Sequence, residues 1–153
     1  LQKCDLLTAD KTILATTRMV GDVAKEHFVL LPETVSKEPL ALSVRDDDPQ
    51  WFSIVRWSTL VMITAEEKGI TSTNVDSFAN STDPEIRRLL GFEGGLGDAL
   101  GLDNAWAMRI IHAVGNYGEV FDRNLGPNTP MGMERGENQL WSKGGLMYSP
   151  PVR

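Results

Sequence analysis

The sequence predicts an α/β chain that becomes helix-rich after about residue 48. Three observations carry this. Before Asp48, apolar runs of strand length are bounded by prolines or turn residues. One helical stretch lies between the first two of those runs. From Asp48 onward, cap residues, prolines at helix starts and glycines at helix ends recur in the order that delimits helices.

The first strand is expected over Lys3 to Ala9, with Cys4, Leu6 and Thr8 on one face and Asp5, Leu7 and Ala9 on the other. Asp10 follows and can cap a helix from Lys11 to about Val20, which Gly21 ends. His27 to Leu31, stopped by Pro32, and Leu40 to Arg45, following Pro39, read as two further strands. Asp48 as cap and Pro49 as first helical residue open a helix to Lys68, with Gly69 as its stop. Within it Trp51, Ile54, Val55, Val61, Met62 and Ala65 form one broad apolar stripe. Ser72 or Thr73 caps a short turn through Phe78. Thr82 or Asp83, Pro84 and Gly91 frame a helix with Ile86, Leu89 and Leu90. Asp103 opens another, in which Trp106, Ile110 and Val114 share a face; Gly115 interrupts it before Tyr117 and Phe121 continue the stripe. A last helical stretch is expected near Gly136 to Lys143, followed by an extended surface strap from Gly144 to Arg153.

With 153 residues, 41% hydrophobic and 24% charged, the composition is that of one ordinary globular unit. A formal net charge of −6 repels nucleic acid and anionic lipid, and no cluster of Lys and Arg offsets it locally. The purely apolar runs, such as Leu60 to Ile63, fall far short of the roughly 20 residues a membrane-spanning helix needs. The chain starts at Leu1 with no initiator Met and no signal peptide, and the first strand has no preceding partner, so the sequence reads as cut.

Most patterns that could carry chemistry fail on inspection. Gly94, Gly95, Gly97 and Gly101 approach a dinucleotide loop, but Leu100 stands where the third glycine belongs and the stretch follows a helix. A surface loop is expected there. Asp46, Asp47 and Asp48 are consecutive, whereas a calcium loop needs alternate ligands and a central glycine. His27 and His112 have no second His or Cys at metal-ligand spacing, so no metal and no cofactor is expected. Cys4, within a strand beside Leu6 and Leu7, reads as an inert buried thiol. Asp10 stands out, because an acid at the end of a strand and the start of a helix sits where open α/β sheets place ligand contacts. A plain helix cap explains it equally well.

Five segments in order tip this balance. They are Lys3 to Asp10 (KCDLLTAD), Leu31 to Leu40 (LPETVSKEPL), Asp83 to Gly91 (DPEIRRLLG), Val114 to Phe121 (VGNYGEVF) and Leu140 to Arg153 (LWSKGGLMYSPPVR). Together they resemble the polar amino-acid-binding proteins of ABC transporters, in particular the general L-amino-acid-binding branch. The resemblance implies the C-terminal part of a two-lobed periplasmic-binding-protein (type II) fold that closes around one L-amino acid by hinge motion. Residues 1–35 would end the second lobe, 36–42 would be the crossover strand, and 43–153 would return to the first lobe and add a helical extension.

The same resemblance makes Asp10 the group that binds the ligand's α-ammonium, with no catalytic residue. It places the protein in the periplasm, made with a signal peptide and working with an inner-membrane permease. It assigns the arginine for the α-carboxylate and the partner of Cys4 to an upstream half. The chain alone is therefore expected to bind amino acids weakly or not at all, and its open strand edges to favour self-association or a domain swap. Two other functions remain open. One is a helical protein-interaction module using Trp51, Trp57, Trp106 and Trp141; the other is a small enzyme with Asp10 as general base.

Overall fold

The computed structural model describes residues 4–20, 28–36 and 38–152. Lys3 at the head of the first expected strand, the expected stop Gly21, His27 and Lys37 of the crossover lie outside these.

Helix α1 spans Lys11–Val20, as the sequence predicts, and starts when the Asp10 carbonyl accepts from the Leu14 N–H at 2.9 Å. The expected strands on either side of it do not form: residues 4–9, 28–31 and 40–45 are irregular, and no β-strand occurs among the described residues. The cause is pairing. A strand exists only when its backbone groups meet a neighbour, and these segments meet none among the described residues. Their apolar side chains stay in the open, with Leu6, Leu7, Val29, Leu31, Leu40 and Leu42 between 57% and 83% exposed.

From residue 48 the chain is a helical body. Helix α2 (Pro49–Glu67) begins where the Asp48 side chain accepts from the Trp51 N–H at 2.8 Å with proline in the first turn, and Gly69 follows its end. A 3₁₀ turn covers Val75–Asn80. Helix α3 (Pro84–Leu89) is capped by Asp83, which accepts from the Glu85 and Ile86 N–H groups. Helix α4 (Leu96–Leu100) is a single turn. Helices α5 (Trp106–Val114) and α6 (Tyr117–Asn124) are separated at Gly115, whose φ of 86° a side chain would resist.

Helix α2 is the centre of this body and packs on α4, α5 and α6. Its second half is buried on more than one face: Val61, Ile63 and Ala65 are all at or below 5% exposure, so the expected single stripe holds only in part. Trp51, assigned to that stripe, is 51% exposed. The core joins Val61 and Ala65 to Ile70, Val75, Ile86, Leu89, Leu90, Trp106 and Ile111. Each such aliphatic side chain contributes about 1.5–3 kcal/mol on burial. On α5 the buried face is Trp106, Ala107 and Ile111; Val114, at the open end of the helix, is exposed. Among the tryptophans only Trp106 belongs to the buried core, with Trp57 packed against it.

The expected last helix resolves into two 3₁₀ turns, Gly136–Asn138 and Trp141–Lys143. The tail then doubles back: Leu140 and Met147 form a parallel bridge, and the Trp141 N–H donates to the Met147 carbonyl at 2.9 Å. The strap is more than a surface feature, since Val152 enters the core and the Thr64 hydroxyl donates to that of buried Ser149 at 2.9 Å.

An ion pair fastens the segment that precedes the two 3₁₀ turns to α2. Arg135 meets Glu66 of α2 through two N–H···O contacts of 3.2 and 3.1 Å, and both side chains are only 10% exposed. The guanidinium also donates twice to the Asn138 carbonyl and lies 5.3 Å from the ring centroids of both Tyr117 and Phe121. Gly118 makes room for it: a Cβ there would stand 2.9 Å from Arg135 Nη1 and 3.1 Å from Glu66 Cδ.

Candidate functional site

Asp10 sits where an extended segment turns into α1, and it is half-buried. Its backbone starts the helix, but its carboxylate accepts no hydrogen bond among the described residues. A side-chain cap, which would tie an oxygen to the second or third N–H of the helix, is not made among the described residues. Beyond Asp10 the exposed face of α1 offers a shallow depression along Thr12, Ile13, Thr16, Thr17 and Val20.

Helix α1 is anchored at two points. Lys11 Nζ donates to the Pro32 carbonyl at 3.4 Å, and the Thr16 hydroxyl lies 3.8 Å from the Met131 sulfur. The second contact joins residues far apart in sequence, and neither residue carries a local pattern that would announce it.

The other candidates separate cleanly. Cys4 is exposed, not the buried thiol its strand context suggested, because the strand that would have covered it does not form. His112 is exposed and lies 3.8 Å from Asp76. Gly97 is a packing residue: its N–H donates to Asn104 Oδ1 at 3.0 Å, and its α-carbon lies against the Asp103–Asn104 backbone. Of the three consecutive aspartates, Asp48 caps α2 and Asp47 pairs with Arg45. No group of three or more metal-ligating side chains occurs among the described residues, and no described helix is long and apolar enough to cross a membrane.

Asn116 and Glu119 escaped notice in the sequence although their spacing advertised them. They form a reciprocal capping box at the start of α6, and Glu119 also accepts from the Ser72 hydroxyl and N–H. Burial pushes the Glu119 carboxyl up, but these donors, with Arg123 nearby, hold it below its ordinary value.

Over 99% of its length the chain is 49% identical to the general L-amino acid-binding periplasmic protein AapJ of Rhizobium johnstonii. The chain is a homologue of part of the amino-acid-binding periplasmic proteins. Similar relationships hold to the putative amino-acid ABC transporter-binding protein YhdW of Escherichia coli, at 49% identity. The glutamate/glutamine/aspartate/asparagine-binding protein BztA of Rhodobacter capsulatus is 52% identical over 98% of the chain. The chain spans about 45% of the length of these relatives. No family model matches it.

Among solved structures, a periplasmic binding protein from Brucella ovis with glutathione bound superposes with a TM-score of 0.88 at 45% identity, covering 95% of this chain and 46% of that one. The fold is therefore that of the C-terminal part of a type II periplasmic binding protein. Coverage of 95% leaves about 8 of the 153 residues outside the superposition, fewer than the irregular segments contain. Part of those segments therefore falls within the matched stretch, without neighbours among the described residues that would turn them into strands.

Proposed function

We propose that the chain is part of the solute-binding component of an ABC importer, which captures an L-amino acid in a cleft between two lobes and delivers it to a membrane permease from the periplasm. The observation that carries this is the match, at 49% and 52% identity over 99% and 98% of the chain, with relatives named for amino-acid binding, joined to an Asp10 carboxylate that accepts no hydrogen bond among the described residues. In this reading residues 1–35 close the second lobe, 36–42 cross between lobes, and 43–153 belong to the first lobe and its helical extension. The change from irregular segments to helices at Asp48 supports that division.

The ligand named for the Brucella ovis neighbour adds chemical support. The γ-glutamyl end of glutathione carries a free α-ammonium and α-carboxylate, the same head group as any L-amino acid. A carboxylate placed for that ammonium serves every member of the set, and Asp10 is apt for it in a cleft that excludes water on closing. The groups that read the α-carboxylate and the side chain come from the upstream half. The relatives are named as binding proteins, which favours capture over catalysis.

The test is isothermal titration of a panel of L-amino acids into this chain joined to the upstream half of the Escherichia coli relative. Binding of one or several amino acids, lost on Asp10→Ala, is the expected result. Binding that survives Asp10→Ala would remove the ammonium role, and no binding of any amino acid would overturn the reading.

A further inference from the structure

We propose that the loop of residues 125–133 is a latch: it seats Met131 on α1 in the ligand-bound arrangement and so sets how tightly ligand is held, without touching ligand. This rests on the reading of Asp10 and of the crossover at 36–42 given above.

The loop is built to hold its shape. Its ends are tied by the Met133 N–H donating to the Leu125 carbonyl at 2.9 Å, and the Gly126 N–H donates to Phe121 of α6 at 3.1 Å. Inside it, Thr129 binds the Gly126 carbonyl through both its N–H and its hydroxyl, and the Thr129 hydroxyl accepts from the Met131 N–H at 3.2 Å. Phe121 itself is 5% exposed, so the loop is rooted in the helical body. What this frame presents is the half-buried side chain of Met131, whose sulfur meets Thr16 of α1 at 3.8 Å.

Thr16 lies in the helix that starts one residue after Asp10, and a helix moves as a rod. Any motion of α1 away from the loop therefore carries Asp10 with it. In the proposed division α1 and the loop lie on opposite sides of the crossover, so Met131 touches the other lobe. The solved binding protein that this chain matches over 95% of its length has glutathione bound, which favours placing the contact in the ligand-bound arrangement.

The chemistry suits repeated opening. A methionine side chain is flexible and makes a soft apolar contact. The Thr16 hydroxyl already donates to the Thr12 carbonyl at 2.8 Å, so separation leaves no polar group without a partner. Whatever favours the closed state raises apparent affinity by the same factor.

The experiment compares wild type, Met131→Ala, Met131→Leu and Asp10→Ala in the chain joined to the upstream half, measuring amino-acid affinity, dissociation rate and the melting temperature without ligand. Met131→Ala is expected to weaken binding by on the order of fivefold, the low end of usual coupling strengths, through faster dissociation. Met131→Leu should restore most of it, and the melting temperature without ligand should not move. Wild-type affinity in Met131→Ala, alongside lost binding in Asp10→Ala, would overturn the latch and leave the functional reading standing. A fall in melting temperature that accounts for the weakened binding would also overturn it, marking a packing role. No binding by the wild type would remove both, since no bound state would exist for the contact to hold.

Discussion

Replacing Glu66 by glutamine keeps the shape of the side chain and removes its charge, leaving Arg135 as a cation that is only 10% exposed. Breaking a buried pair by neutralising one partner costs about 3–5 kcal/mol. The lower end applies here for two reasons. Glutamine retains one acceptor for the guanidinium, and Arg135 keeps its two bonds to the Asn138 carbonyl and its seat beside the Tyr117 and Phe121 rings. The expected loss is about 3 kcal/mol. Urea unfolding followed by tryptophan fluorescence reads it, because Trp106 is 7% exposed in the native core and becomes solvated on unfolding. The double replacement Glu66→Met with Arg135→Met separates the pair from its surroundings. With no charge left to desolvate, it should be milder than the sum of the single replacements. A loss below about 1 kcal/mol for Glu66→Gln, or strict additivity in the double variant, would refute the argument that this pair fastens the segment around Arg135 to α2.

Gly118→Ala tests the same junction sterically. A Cβ at 2.9 Å from Arg135 Nη1 forces the guanidinium off Glu66, with an expected cost of about 1–3 kcal/mol in the same unfolding assay. Glu119 gives a pH signature. Its folded-state pKa lies below its ordinary value, so its contribution is fully present above about 4.5 and is lost as pH falls through the folded-state pKa. Glu119→Gln should therefore be less stable than wild type near neutrality, and the gap should narrow in acid; a gap that does not change with pH would count against the carboxylate as the cause. The Asp10 and Met131 variants complete the set through their effects on ligand binding.

What could be read from the sequence was what is decided locally. Asp48 before Pro49 fixed one helix start and Asp83 before Pro84 another, because a cap and a proline act on their own first turn. Gly115 marked the break between α5 and α6 for the same reason, its φ of 86° being a property of one residue. Of the strands expected over residues 3–9, 27–31 and 40–45, the described residues 4–9, 28–31 and 40–45 form none, because a strand is a relation between two segments. Glu66 and Arg135 lie 69 residues apart, and nothing near either announces the other. For Asp10 the position at a segment-to-helix junction was legible, while whether its side chain caps α1 depends on local geometry that the residue types alone do not fix.

The insertion of Val152 beside Val61 and Ile111 in one core has a consequence for how the protein comes off the ribosome. Helix α2 leaves early, yet the apolar surface it presents is not sealed until residue 152 has emerged and Ser149 has met Thr64. During that interval its half-covered core is exposed, the condition in which nascent chains associate wrongly. Slow emergence of residues 140–152 would lengthen the exposure, and a chaperone that shields α2 until they arrive would shorten it.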